Sequence, residues 1–231
     1  MKPAKITAFL AIKSVSERLE NKNFRLFAGR PLYEIMLDKL QRTAAIDRIF
    51  IDTDSEIIHE TPKYFSKVHV FSRAEHLRGH EVTMNSILEF NLSRMEGKHF
   101  LNTHVTNPLL SEETIELAIQ RYFAGLVSYD SLCTVLRLQK RAYDHNGEPL
   151  NHAFRKMDRT QDLSPVLVEN SNLFLFSRTS FFEAGKNRIG LKPQILPMNE
   201  IESVDIDNET DFVLAELLHE NRSRFSFGDK N

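Results

Sequence analysis

Residues 11–32 read AIKSVSERLENKNFRLFAGRPL, and the position of this stretch decides how the chain folds. Ahead of it, residues 6–10 (ITAFL) form a short apolar run suited to a buried strand. Within it, Lys13, Arg18, Lys22, Arg25 and Arg30 alternate with polar residues that include Asn21 and Asn23. Behind it, Leu32, Ile35, Met36 and Leu40 recur at helical spacing after Pro31, which suits a first helical turn. A basic, polar loop between the first strand and the first helix of an α/β chain is where phosphate groups usually sit. Charge alone fits a solvated loop equally well.

The same alternation continues outward from that loop. Residues 48–52 (RIFID), 68–71 (VHVF) and 99–102 (HFLN) read as further buried strands. Helices are expected from near Glu56, and again through Met84, Ile87, Leu88 and Leu92, ending by Gly97. A third helix is capped by Ser111, with Glu112 and Glu113 in its first turn and a buried stripe of Ile115, Ala118, Ile119 and Tyr122. Strands and helices alternating through short joints predict a parallel sheet with right-handed crossovers, and ligands on such sheets bind beyond the C-terminal strand ends.

The second half changes character. Residues 131–138 read as a strand, and residues 138–165 as a polar excursion, a lid or an arm toward another subunit. Asn146-Gly147 within it is a strong hairpin signal. Residues 172–176 (NLFLF) return to the core, residues 194–197 suit a short edge segment, and residues 204–207 read as another strand end. Asn208 then caps a last helix, with Glu209 and Asp211 in its first turn and Phe212, Val213, Leu217 and Leu218 expected to be buried. The tail from Arg222 is expected to fray.

A chain of 231 residues with 41% apolar and 27% charged residues can bury a single substantial core. The net charge of −2, with both signs interspersed, offers no basic field for nucleic acid and no membrane patch. A single cysteine, Cys133, excludes an internal disulfide framework and Cys-based zinc sites. Residues 1–5 do not open a signal peptide, and no apolar run reaches the roughly 20 residues of a membrane span. A soluble, cytoplasmic protein is the economical reading, which makes the Asn-x-Ser/Thr matches at Asn91, Asn208 and Asn221 chance.

Asp205 and Asp207, in SVDIDNETDF, are the most telling pair. Two apart on an extended chain, their carboxylates share a face, the arrangement of a hard-cation site for Mg²⁺ with substrate phosphate oxygens. One carboxylate capping the following helix, with the other solvated, is the alternative. Asp52-Thr53-Asp54-Ser55 is also acidic, and an N-cap role for one of its members is expected. Lys22 and Arg18 suit phosphate neutralisation, and Asn23 a sugar hydroxyl or a phosphate. Thr106-Asn107-Pro108 is a polar shelf or merely a turn. None of the nine histidines has metal-ligand spacing. There is no Walker loop and no G-x-G-x-x-G.

Taken in order, SERLENKNFRLFAGRPL, IDTDSE, THVTNPLL, RTQDLSPVLVEN and SVDIDNETDF resemble the CMP-sialic acid synthetases (acylneuraminate cytidylyltransferases) over residues 6–218. The resemblance implies one Rossmann-like nucleotidyltransferase domain spanning residues 1–231. Its mostly parallel sheet would be flanked by helices and carry a protruding β-rich dimerisation arm at residues 138–165. It implies transfer of CMP from CTP to a nine-carbon keto acid, with Mg²⁺ as cofactor and a homodimer as the assembly. By position, Ala11, Lys13, Ser14, Arg18, Lys22 and Asn23 would bind the nucleotide, and Lys22, Arg18 and Asp207 would be catalytic. His104, Thr106, Gln161 and Asn170 would meet the acceptor sugar, and Asp205 and Asp207 would hold the metal. Arg159, Gln161 and Asp162 match the family's R-x-Q-D stretch beside the arm.

The chain departs from the family pattern at several of these positions. Lys13-Ser14-Val15-Ser16-Glu17-Arg18 stands where relatives have Arg-Gly-Gly-Ser-Lys-Arg, so phosphate would be held more by side chains and less by a glycine-lined backbone. Glu20-Asn21 replaces Pro-Gly, His104 a glutamine and Asn107 a serine. Two other functions follow from these changes: nucleotidyl transfer with another nucleotide or acceptor, and a relative that binds nucleotide without turnover. Intact Lys22, Asn23, Asp205 and Asp207 argue against the relative without turnover.

Overall fold

The structure is a computed structural model that describes residues 5–79 and 81–224. Its elements run β1 (Ile6–Ile12), β2 (Leu26–Phe27), β3 (Arg30–Pro31), α1 (Leu32–Arg42), β4 (Ile46–Thr53), α2 (Glu56–His59), β5 (Val68–Ser72), α3 (Met84–Leu92), β6 (His99–Asn102), α4 (Glu112–Gly125), β7 (Ser131–Leu138), β8 (Val166–Ser177), α5 (Arg178–Glu183), β9 (Pro193–Met198) and α6 (Glu209–Glu220). The absence of a leader and the frayed tail were read from segments that lie largely outside the described residues. Of the tail, Arg222–Arg224 forms one 3₁₀ turn.

Among the described residues, seven strands make one sheet in the order β5-β4-β1-β6-β8-β7-β9. All pairings are parallel except those of β8, which runs antiparallel to both β6 and β7. The mostly parallel α/β expectation holds. After β1 the chain builds outward through β4 and β5, then returns to the other side of β1 with β6. The order therefore reverses between β1 and β6, and the crevice beyond their C-terminal ends is the place where such sheets bind ligands.

Strand alternation divides the core. Ile6, Ala8, Leu10 and Ile12 face Met36, Leu37 and Leu40 of α1 and Ile115, Ala118 and Ile119 of α4. Phe9 points the other way, into Ile87, Leu88 and Leu92 of α3 and the rings of Phe100, Phe174, Phe176 and Phe181. A smaller third cluster joins Leu19, Phe27, Leu32, Leu109, Ile206, Phe212 and Ala215. It fastens α6 beneath the loop after β1 and gives that loop an apolar floor.

The caps follow the sequence. Ser111 accepts the Thr114 N–H, and Asn208 forms a capping box with Asp211. Asn146-Gly147 does turn a small hairpin, with Tyr143 bridged to Pro149. The excursion is paired at its base, where residues 135–138 meet 166–169. Beyond that, two isolated bridges and a 3₁₀ turn at Thr160–Asp162 are its regular structure.

Two expectations need correction. Residues 204–207 form no strand; the Ile206 N–H donates instead to the Thr106 carbonyl at 2.9 Å across the crevice. Val213 and Leu217 are exposed, since α6 buries Phe212 and Ala215, with Leu218 partly covered, and turns its other side to solvent. Ser55 takes the N-cap position of α2, as expected for one member of Asp52–Ser55, but its side chain makes no cap bond. Asp52 is instead buried against Arg73 and accepts from Asn91 Nδ2 at 2.9 Å. Two elements gave no sequence signal that was recognised. They are α5, started by a Ser177–Ser180 capping box, and the β2–β3 hairpin, whose two-residue turn puts Ala28 and Gly29 at φ 49° and 80°.

Candidate active site

A cavity of about 460 Å³ opens beyond the C-terminal ends of β1 and β6. One wall is the loop after β1, with Ala11, Lys13, Val15, Ser16, Glu17, Arg18, Leu19, Lys22 and Asn23. His104, Val105 and Thr106 follow β6, Asp205 and Asp207 precede α6, and Met84, Ser171 and Arg188 complete the lining.

The loop holds its shape through three bonds. Asn23, buried, donates from Nδ2 to the Lys13 carbonyl at 2.9 Å. The Ser14 N–H donates to Asp54 Oδ1 at 2.7 Å. Lys22 Nζ donates to the Ile206 carbonyl at 2.7 Å and lies 3.4 Å from Asp207 Oδ1. Arg18 Nη2 reaches the same carboxylate oxygen at 2.8 Å. The Lys22 side chain is 13% exposed and fixed, whereas that of Arg18 is 69% exposed and can swing toward a ligand. Asp207 thus gathers the loop cations in the free protein.

Asp205 lies deeper. Burial pushes its carboxyl up, with Asp207 adding to the effect and the Thr106 hydroxyl, Lys22 and Arg18 opposing it. Its Oδ1 is buried and accepts no hydrogen bond among the described residues. Two hard carboxylates, one with an unsatisfied oxygen facing cation-rich surroundings, suit Mg²⁺ when phosphate oxygens complete its shell. Burial, then the nearby Arg188 and Lys22 charges, pushes the His104 imidazole down to about 3, so the ring is neutral in ordinary buffers.

Seven of the residues read from the sequence as nucleotide or metal ligands line this cavity: Ala11, Lys13, Arg18, Lys22, Asn23, Asp205 and Asp207. His104 and Thr106, read as acceptor contacts, line it with them. Three other candidates do not. Ser14 spends its N–H on Asp54. Gln161 is exposed on the excursion. Asn170 is used internally: it accepts from Thr134 Oγ1 at 2.8 Å and donates to Ser203 Oγ at 3.0 Å. These bonds brace a bulge where one residue of β7, Thr134, faces residues 170–173 of β8. The bulge carries Ser171, at φ 54°, to the cavity wall. Ser171, Met84 and Arg188 were not legible as site residues, because none sits in a motif and each arrives through the sheet order. Cys133 is buried, and burial pushes its thiol up to about 11, consistent with an inert side chain. No helix among the described residues is long and apolar enough to cross a membrane.

Known proteins resemble this chain over nearly its whole length. The chain is 26% identical over 219 residues to N-acylneuraminate cytidylyltransferase A of Danio rerio, covering 91% of this chain and about half (50%) of that longer protein. It is 23% identical over 225 residues to CMP-N,N'-diacetyllegionaminic acid synthase of Legionella pneumophila, covering 94% and 97% of the two chains. The fold matches CMP:2-keto-3-deoxy-manno-octonic acid synthetase, solved as a complex with CTP, at a TM-score of 0.66 and 11% identity, covering 95% of this chain and 100% of that one. The family model described as cytidylyltransferase matches residues 13–229, from the loop after β1 past the last helix, and the chain belongs to that family.

Proposed function

We propose that the protein transfers CMP from CTP to the anomeric hydroxyl of a sialic-acid-like nonulosonic keto-sugar acid and releases pyrophosphate. The hydroxyl oxygen bonds to the α-phosphorus. The bond from that phosphorus to the bridging oxygen breaks, pyrophosphate leaves with the electron pair, and the hydroxyl proton passes to water. The observation that carries this reading is the meeting, in one cavity, of Lys13, Arg18 and Lys22 with the Asp205–Asp207 pair. Phosphoryl-type transfer requires positioning and charge neutralisation more than covalent chemistry.

Asp205 and Asp207 would hold Mg²⁺, which when bound neutralises charge on the triphosphate and the departing pyrophosphate. Lys22, already anchored on Ile206, sets the α-phosphate beside these carboxylates. Arg18 exchanges Asp207 for the outer phosphates. Neutral His104 and Thr106 orient acceptor hydroxyls. Asn23 keeps the Lys13 carbonyl, and so the loop, in place.

The excursion is proposed to pair two copies of the chain as a homodimer. Tyr143, Leu150, Phe154 and Met157 on it are exposed apolar side chains of the kind that a partner covers. Gln161, at its Thr160–Asp162 turn, would then serve the partner's acceptor site.

The test is to incubate the protein with Mg²⁺, each of the four nucleoside triphosphates and a panel of keto-sugar acids, and to measure pyrophosphate. CTP-selective release that vanishes in Asp207→Ala supports the reading. Selective release with another nucleotide overturns the nucleotide assignment, and CTP binding without turnover overturns the activity.

A further inference from the structure

Arg188 enters the cavity from the loop after α5, on a different element from every other cation there. Its guanidinium face lies on the Phe174 ring, 3.7 Å from the centroid. Nη1 donates to Asn102 Oδ1 and stands 3.5 Å from His104 Nε2. The remaining guanidinium donors, Nε and Nη2, bond no acceptor among the described residues, and no carboxylate there lies within ion-pair distance. The acidic group whose charge it feels, Glu169, is exposed on β8. Its neighbours Asn102, His104 and Phe174 are neutral.

An arginine held in this way is an unusual expense for a fold. A largely buried cation without a counter-ion is costly, and guanidinium does not escape the cost by losing its proton. Stacking on Phe174 fixes the plane of the fork and leaves its edge free, the geometry that a planar oxyanion meets with two parallel hydrogen bonds. The triphosphate already has Lys13, Arg18 and Lys22 on the loop after β1, beside the paired aspartates. Arg188 belongs to the wall shared with His104, Met84 and the bulged Ser171, where the acceptor must sit if the nucleotide takes the other wall. On a keto-sugar acid the carboxylate is attached to the anomeric carbon itself, one bond from the attacking hydroxyl's carbon centre. Gripping that carboxylate therefore aims the nucleophile.

We propose that Arg188 is the specificity-determining residue for the acid acceptor, pairing its guanidinium edge with the acceptor's carboxylate. The inference rests on the cytidylyl-transfer reading of the cavity. It predicts that the protein selects acids over otherwise identical neutral sugars through this one side chain.

The test is equilibrium titration of the full chain, with the non-reacting α,β-methylene analogue of CTP and Mg²⁺ present, against N-acetylneuraminate, 2-keto-3-deoxy-octonate and the methyl ester of each. CTP is titrated separately. Wild-type protein is expected to bind at least one acid about 10- to 100-fold more tightly than its ester. Arg188→Met is expected to bind acid and ester alike while its affinity for CTP stays within about twofold. Arg188→Lys is expected to recover part of the preference, because a point charge replaces the fork. If Arg188→Met does not fold, the lysine variant carries the test through its weakened acid preference at unchanged CTP affinity. An undiminished acid preference in Arg188→Met overturns the proposal, as does an equal loss of CTP affinity, which would assign Arg188 to the nucleotide. CTP binding by the wild type with no binding of any acid overturns this role together with the acceptor class. Absence of CTP binding instead removes the cytidylyl reading on which both depend.

Discussion

Asp54, at the end of β4, accepts the backbone N–H of Ser14 at 2.7 Å and so ties the loop after β1 to the neighbouring strand. A glycine-lined loop brings backbone N–H groups close to phosphate; this loop carries Ser14 and Val15 instead, and the Ser14 N–H is already committed to a carboxylate. The loop is held by side chains at both ends: Asp54 at Ser14 and Asn23 at Lys13.

Removing that tether should therefore weaken nucleotide binding without touching the cavity lining. Asp54→Ala is expected to bind CTP about 10-fold more weakly, near the low end for a hydrogen bond to a charged group at a half-buried position. Calorimetric titration with CTP measures it. Unchanged affinity would mean that the loop holds its shape without Asp54.

Asp52 and Arg73 form a pair in which both side chains are almost fully buried, at 0% and 2% exposure. Breaking such a pair from one side leaves a charge stranded in the core. Arg73→Leu is expected to cost about 3–5 kcal/mol, read from urea unfolding. The double change with Asp52→Leu should restore a large part of this. Additive losses would show that the two residues do not act as a pair.

Ala28 sits at φ 49° in the exposed two-residue turn between β2 and β3, a backbone region that alanine adopts at a cost and asparagine accepts readily. Ala28→Asn is expected to raise stability by about 0.5–1 kcal/mol. Thermal and urea unfolding both report the change. Destabilisation would rule out strain at this position.

Lys39 of α1 is buried and donates to the Pro108 carbonyl, bracing the turn that carries Thr106. Burial, reinforced by the Arg222 charge, lowers its pKa from 10.5 to about 8. Between those two values the unfolded chain binds the proton that the folded chain has released. The contribution of Lys39 to stability therefore rises with pH across this window and is least favourable below it. The unfolding free energy of the wild type relative to Lys39→Met should climb from pH 8 to 10.5. A flat difference would contradict the burial penalty.

The legible parts of the site were those whose chemistry is local. Lys13, Arg18, Lys22 and Asn23 sit together on one loop, and Asp205 and Asp207 both line the cavity, even though residues 204–207 form no strand. The loop's place after an apolar strand and before a Pro-led helix pointed to the strand ends where the cavity lies. Asn170 shows the opposite case. A polar residue in a matching motif suggested ligand contact, but its amide spans Thr134 and Ser203 and braces the bulge that presents its neighbour, Ser171. Val213 and Leu217 misled in the same way, because helical period marks an apolar face without saying whether anything packs on it.

The sequence by itself determined the α/β alternation, the helix caps at Ser111 and Asn208, and the cationic and acidic halves of the site. Each rests on residues close together in the chain, within one loop, turn or element, which periodicity and capping chemistry can read. Only the tertiary structure decided that Arg188 stacks on Phe174 beside His104, that Asp54 holds Ser14, and that Asp52 serves the core rather than a helix end. Those contacts join residues far apart in the chain through strand order and a bulged register, and no local spacing encodes them.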